Sequence, residues 1–335
     1  MPGFPLLRYV ARTLFSLAVI VGIAAAAAWW WLDRPLALPG VPYALEVRSG
    51  STLAAVARKL ADDGVIDHPI ALTLLARAKG VDRTIKAGQY EFDPPIDLAA
   101  LLARLTQGDV TQSSLTFVEG TTAAELLRRV AAEPTLATTL ADRPADEIAK
   151  ALAIDAPSLE GQFFPDTYFY AAGSADRALL MRAHRLLQER LGAAWERRSA
   201  GLPLATPYEA LILASIVEKE TGRASDRPAI ASVFVNRLKL GMRLQTDPTV
   251  IYGMGEAFDG NLRKRDLEAD TPYNTYTRDG LPPTPIALPS QASIAAVVDP
   301  PVTQYLYFVA RGDGSSEFST NLADHNRAVA RYQKR

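Results

Sequence analysis

The sequence predicts an α+β protein in three parts: an N-terminal transmembrane helix, a small βααβ subdomain, and a larger mixed α+β domain. Three observations carry that reading. An uncharged apolar block of membrane-crossing length stands near the N-terminus. A strand–turn–helix pattern occurs twice at a constant offset. The second half of the chain alternates helical stretches with loops rich in Pro and Gly.

The apolar block comes first. Residues 13–32 carry no charge, and about 20 apolar residues suffice to cross a bilayer. Arg8 and Arg12 precede the block, so residues 1–12 should stay cytoplasmic and everything after Leu32 should lie outside. Trp29, Trp30 and Trp31 stand where an interfacial aromatic belt belongs. A cleaved signal peptide is the other reading, with Ala24 to Ala28 as processing site, but three tryptophans make a poor cleavage context. The expectation is therefore a single-pass anchor in the cytoplasmic (inner) membrane. Residues 33–42, with Pro35, Pro39 and Pro42, read as a stiff linker leading away from it.

Composition narrows the chemistry. Lys and Arg number 36 against 37 for Asp and Glu, so no basic excess points to nucleic acid. The absence of cysteine removes disulfides, thiolate zinc sites and a Cys nucleophile. His68, His184 and His325 lie far apart, with no second His at ligand spacing. Neither a metal nor any other cofactor is expected.

The repeated pattern organises the next part. Leu45 to Thr52 aligns with Leu115 to Thr122, and the match continues with Ala54, Arg58 and Ala61 against Ala124, Arg128 and Ala131. Each copy reads as a strand, a Gly turn, a Ser/Thr cap and an amphipathic helix. In the first copy Leu53, Val56, Ala57 and Leu60 share a face, and Gly64 stops the helix. A second helix runs from Pro69 to Gly80, a strand covers 85–92, and a further helix from Asp97 ends near Gly108. Residues 43–110 thus form a βααβ subdomain. It is LysM-like and so a sugar-binding module, or it is simply a small α+β unit. Residues 113–135 hold the second strand–helix segment and open the larger domain spanning 111–335. Helices are expected over 176–200, from Thr206 to a last turn at Glu218, and from near Asp226 to Gly241; turn-rich sequence fills 253–291, and a strand over 305–310, a Gly-rich turn, a polar strand and a final helix over 321–332 follow.

One helix is unusual. Thr206, Pro207 and Glu209 make a capped start. Ala210 to Val217 is apolar on every face but that of Ser215, so the helix should be buried all round. Glu218 then falls in its last turn, against the negative end of the helix dipole. Burial and dipole both predict a raised pKa, suited to a general acid. The alternative is a plain ion pair with a nearby Arg. Glu220 points to another face and should be solvated or salt-bridged. Gln245, Thr246, Asp247 and Tyr252 follow, then Tyr273, Asn274 and Tyr276, then the Gly280–Ile286 stretch with Pro282, Pro283 and Pro285. Rings that stack on sugar faces, with amides and carboxylates for the hydroxyls, are what a sugar groove requires. Each cluster alone could equally be a Pro-rich surface loop.

These residues resemble the MltG/YceG-like endolytic murein transglycosylases. The resemblance rests on Leu159 to Tyr168 (LEGQFFPDTY), Ile212 to Thr221 (ILASIVEKET), Leu244 to Val250 (LQTDPTV), Tyr273 to Tyr276 (YNTY) and Gly280 to Ile286 (GLPPTPI), and it covers essentially the whole chain. It implies a lytic transglycosylase that cuts within nascent peptidoglycan strands at the membrane, with peptidoglycan synthases as further partners. Glu218 falls on the family's catalytic Glu. Gln245, Asp247, Tyr273, Asn274 and Tyr276 fall on its motifs and, with Tyr252, are the candidate substrate-binding residues. One departure is that relatives often carry a His where this chain has Glu317. The rival readings are a muramidase using water, with Asp247 or Glu220 as second carboxylate, and a non-catalytic wall-binding scaffold.

Overall fold

The computed structural model describes residues 14–20, 22–23, 30, 32–47, 50–108 and 112–333. The expected anchor at 13–32 lies largely outside the described residues, and among those described no helix is long and apolar enough to cross a membrane. The chain divides into two units. One runs to Ser113 and takes in Tyr170–Ser174; the other comprises Ser114–Phe169 and Ala175–Arg335.

In the first unit, β1 (Tyr43–Val47) pairs antiparallel with β2 (Gly88–Phe92), Tyr43 opposite Phe92 and Val47 opposite Gly88. Both strands alternate buried and exposed residues, so Tyr43, Leu45, Val47, Tyr90 and Phe92 share the inner face. Between them lie α1 (Leu53–Asp62) and α2 (Pro69–Ala78), and α3 (Leu98–Gln107) follows. Thr52 caps α1 by accepting from Ala55 N, and its predicted face Leu53, Val56, Ala57 and Leu60 is buried. Asp97 caps α3 by accepting from Ala100 N at 2.7 Å, and Gly108 ends it in the left-handed conformation. The second strand is shorter than the predicted 85–92. Lys86 N donates to Leu105 O of α3 instead of joining the ladder, and the buried Tyr90 hydroxyl donates to Lys86 O at 2.7 Å.

The repeated segment gives β3 (Gln112–Thr116), which runs across the boundary into the second unit, and α4 (Ala123–Ala131), which starts at a full Thr122–Glu125 capping box. β3 pairs with β4 (Thr167–Ala171). α5 (Ala145–Leu152) comes between them, and α6 (Asp176–Glu196) follows. The fully buried Asp176 carboxylate brackets the preceding loop, accepting from the main-chain N–H groups of Thr139, Leu140 and Ala141. The two helices predicted within 206–241 are α7 (Pro207–Glu220) and α8 (Arg227–Lys239), parted where Thr221 is extended. As predicted, α7 is buried on all sides: every residue from Ala210 to Val217 is inaccessible. Its one polar member, Ser215, donates to Ile212 O and accepts from Ile286 N at 2.9 Å, which ties the Pro-rich loop to the helix.

Two further helices stand where the sequence predicts no element. α9 (Asp247–Met254) has Pro248 in its first turn, a position where the lost N–H costs nothing. α11 (Gln291–Val298), after the short α10 (Lys264–Glu268), packs on α6, α7 and α8 and starts at an N-cap serine, Ser290. A hairpin of β5 (Tyr307–Ala310) and β6 (Ser316–Ser319) and the terminal helix α12 (Leu322–Tyr332) complete the unit.

Candidate active site

Glu218 emerges from the end of the buried helix with its side chain only 5 % exposed. Its Oε2 accepts from Ser290 N at 2.9 Å, from the Ser290 hydroxyl, and from the Ser293 hydroxyl at 2.7 Å. Its Oε1 accepts from Arg227 Nη2 at 3.1 Å. Both readings made from sequence are thus present together, a buried carboxyl and an Arg partner. The expected upward pKa shift is overturned. Burial does push the pKa up, but the hydrogen bonds from Ser290 and Ser293 and the Arg227 charge outweigh it and hold the group below the ordinary carboxylate value. Glu218 therefore rests ionised.

A strap from the second repeat copy walls this carboxyl. Gly120, at φ +72°, lies so close that a Cβ there would stand 3.8 Å from Glu218 Cγ. Lys219 Nζ donates to Gly120 O at 3.0 Å, and reciprocal 2.8 Å bonds join Gly120 N to Leu288 O and Leu288 N to Thr121 O. Arg227 also lines a cavity of about 480 Å3, together with Arg197, Gln291 and Asp299.

A second carboxyl stands two residues on. Glu220 is half-buried, not freely solvated, and accepts from the Thr246 hydroxyl. Burial raises it to about 7, with Asp247 adding to the rise and Arg237 opposing it. Thr246 anchors the segment that displays Gln245 and Asp247. Gln245 is exposed and holds a left-handed φ of +50°, uncommon for a residue with a side chain. Its N–H donates to Thr275 O, and Thr246 N donates to Thr275 Oγ1, so the strain is fixed from both sides. Asp247 is exposed at the start of α9 and accepts from the Tyr276 hydroxyl at 2.6 Å.

The remaining candidates divide. Tyr252 and Tyr273 stack edge-on with ring centroids 4.9 Å apart. Tyr252 donates to Glu160 Oε2, and the Tyr273 hydroxyl pairs with Thr284 Oγ1. Asn274 was expected at a groove surface, but it is 0 % exposed. Its amide donates to the carbonyls of Leu267 and Ala269 and its oxygen accepts from Tyr276 N, so it brackets the loop that carries the two tyrosines. Glu317, at the position of the family departure, pairs with Arg311. Arg227, Ser290 and Ser293 were not singled out from sequence. The only local signal was a Ser-x-x-Ser start before the apolar run Ile294 to Val298, which marks a capped helix rather than a site.

A carboxyl buried among hydroxyl and guanidinium donors at the end of an apolar helix makes Glu218 a candidate acid/base group on an α+β scaffold. The chain belongs to the YceG-like family, which it matches over residues 45–331. It is 32 % identical over 305 residues to the endolytic murein transglycosylase of Bacillus subtilis, an alignment covering 86 % of this chain and 84 % of that one. It is 27 % identical over 322 residues to the endolytic murein transglycosylase of Streptococcus pneumoniae, covering 85 % of this chain and 57 % of that longer protein. The fold is similar to the crystal structure of a protein of Listeria monocytogenes described as YceG-like, with a TM-score of 0.53 and 29 % identity over 85 % of this chain and 98 % of the other.

Proposed function

We propose that the protein is an endolytic peptidoglycan lytic transglycosylase. It cleaves the β-1,4 bond between N-acetylmuramic acid and N-acetylglucosamine in nascent strands, leaves 1,6-anhydro ends and so limits strand elongation. The family and the named relatives support this reading. The observation that carries the site is the buried Glu218 carboxylate held by Ser290, Ser293 and Arg227.

The reaction needs one carboxyl group in two states. Protonated Glu218 donates to the bridging oxygen as an oxocarbenium-like state develops; the carboxylate then takes the proton of the muramyl C6 hydroxyl, which attacks the anomeric carbon of its own sugar. The glycosidic bond breaks, a C6–O–C1 bond forms, and no water is consumed. Free Glu218 rests as the base, so substrate must raise its proton affinity. Burial is already the largest single influence on this group. A glycan laid over it deepens that burial and offers the Ser290 and Ser293 hydroxyls other acceptors, and both changes move the pKa upward. Arg227 then steadies the carboxylate that forms on donation. Gln245, Asp247, Tyr252, Tyr273 and Tyr276 supply the groove, with Asn274 bracing it.

The same reading sets the enzyme at the outer face of the cytoplasmic membrane, anchored by residues 13–32. The support is the uncharged span, the preceding arginines and the tryptophan belt. In that place it meets strands as peptidoglycan synthases release them. The βααβ unit acts as a LysM-like module that presents the strand.

Digestion of purified glycan strands, read by mass spectrometry, tests the function. Wild type should release 1,6-anhydro ends, and Glu218→Gln should lower their rate at least about 100-fold. Reducing ends in place of anhydro ends would show a water-using muramidase, and full cleavage by the variant would remove Glu218 from the chemistry.

A further inference from the structure

Glu160 is a buried carboxyl, 4 % exposed, that the reaction above does not use. We infer that it is a positioning residue for glycan cleavage, tying the strap beside Glu218 to the tyrosine wall of the groove. The inference rests on the proposed function of the Glu218 site.

The geometry has two arms. Glu160 Oε1 accepts from Ala123 N at 2.9 Å, and Oε2 accepts from the Tyr252 hydroxyl at 3.1 Å. Ala123 is the first residue of α4 and follows the strap directly. The strap's other end is fixed to Lys219 and Leu288, with Gly120 against Glu218. Tyr252 stacks on Tyr273, which is fixed in turn through Thr284. One carboxyl therefore holds the near end of both elements, and each oxygen has its own task. A hydrocarbon of the same size would leave a main-chain N–H and a phenol unpaired, and an unmade buried hydrogen bond is costly. The glycine that follows Glu160 reinforces the hold. A Cβ on Gly161 would stand 2.7 Å from Pro285, so this turn is also pressed against the Pro-rich loop.

The carboxyl also faces a cavity of about 620 Å3, which it lines with Tyr252, Leu127 and Asp146. Burial pushes its pKa to about 7, opposed by the bonds from Ala123 and Tyr252, while the Glu125 charge adds to the rise. The groups facing it are thus Glu125 of α4, Asp146 of α5, Tyr252 of α9 and Tyr208 of α7. Ionised, Glu160 accepts charge-assisted bonds from both donors and is the tighter tie. Protonated, it still accepts from Ala123 N through its carbonyl oxygen.

Full-length wild type, Glu160→Gln, Glu160→Ala and Tyr252→Phe are compared for kcat and KM of anhydro-end release across pH 5 to 9. Glu160→Ala should lose about tenfold or more in kcat/KM, since two buried hydrogen bonds go. Glu160→Gln can accept from Ala123 and donate to the phenol, so it should stay within about threefold of wild type. Wild-type kcat/KM should rise through pH 7 as Glu160 ionises, and Glu160→Gln should lack that rise. Adding Tyr252→Phe to Glu160→Ala should cost less than Tyr252→Phe does alone. Wild-type kcat/KM in Glu160→Ala, an unchanged inflection in Glu160→Gln, or full additivity would each overturn the inference. Should Glu160→Ala fail to fold, the pH profile of Glu160→Gln decides. A wild-type chain that releases no anhydro ends would overturn the function itself, and this inference with it.

Discussion

Replacing Glu160 by Gln should change how stability varies with pH, by an amount the site sets. Burial moves this carboxyl from 4.5 to about 7 in the folded protein. A carboxyl raised on folding favours the folded state fully below its unfolded pKa; that advantage drains away as pH climbs to the folded pKa, because the unfolded chain ionises first. The gap from 4.5 to about 7, at about 1.4 kcal/mol per pKa unit, amounts to about 3 kcal/mol. Wild type should therefore lose about 3 kcal/mol through Glu160 between pH 4.5 and 8, and Glu160→Gln should lose none of it. Other titrating groups, Glu220 among them, are common to both chains and cancel in the difference. Urea unfolding followed by Trp195 fluorescence reads the relevant unit, since Trp195 packs against its core. The stability of the variant minus that of wild type should rise steadily over this range. A difference flat to within about 0.5 kcal/mol from pH 5 to 8 would refute the assignment of a raised pKa to this group.

Three more expectations follow from the packing. Ser293→Ala removes one donor from Glu218, so the Glu218 pKa should rise, and the limb on which kcat/KM falls as Glu218 loses its proton should move to higher pH; an unmoved limb, or one moved to lower pH, would contradict the account of that site. Gly161→Ala forces a side chain into a φ of +75° and onto Pro285, and should cost roughly 2–5 kcal/mol in urea unfolding. Gly201→Ala, with φ +74° and open space, should cost only about 1–2 kcal/mol, and equal losses would refute the contact argument. Asp176→Asn leaves too few acceptors for the donors from Thr139, Leu140 and Ala141, and should cost about 2–4 kcal/mol, with hydrogen exchange quickening first at residues 139–141.

The elements legible in the sequence are those whose signal is local. Thr206 caps the helix it was expected to cap, and Thr52 and Thr122 supply the Ser/Thr caps expected of the two repeat copies, since a cap is a contact across three residues. The burial of α7 was readable because Ala210 to Val217 leaves no face for water. α9 and α11 were not readable. Asp247–Met254 has almost no amphipathic pattern, its Pro248 reads equally as a loop, and Gln291–Val298 is a short apolar run that only its neighbours make helical.

The site shows the same division. Position along the chain identified Glu218 as a carboxylate at the end of a buried helix, and the motifs gave the family. Its charge state was a tertiary matter. Burial, which sequence could anticipate, raises the pKa, but the donors that reverse it come from Ser290 and Ser293 on a helix more than seventy residues on, and from Arg227 at the start of α8. Asn274 likewise carried a groove-like chemistry in the sequence and turned inward in the fold, where the Leu267 and Ala269 carbonyls accept from its amide. Residue type determines what a side chain can bond; only the fold decides which partners reach it, because those partners come from segments distant in sequence.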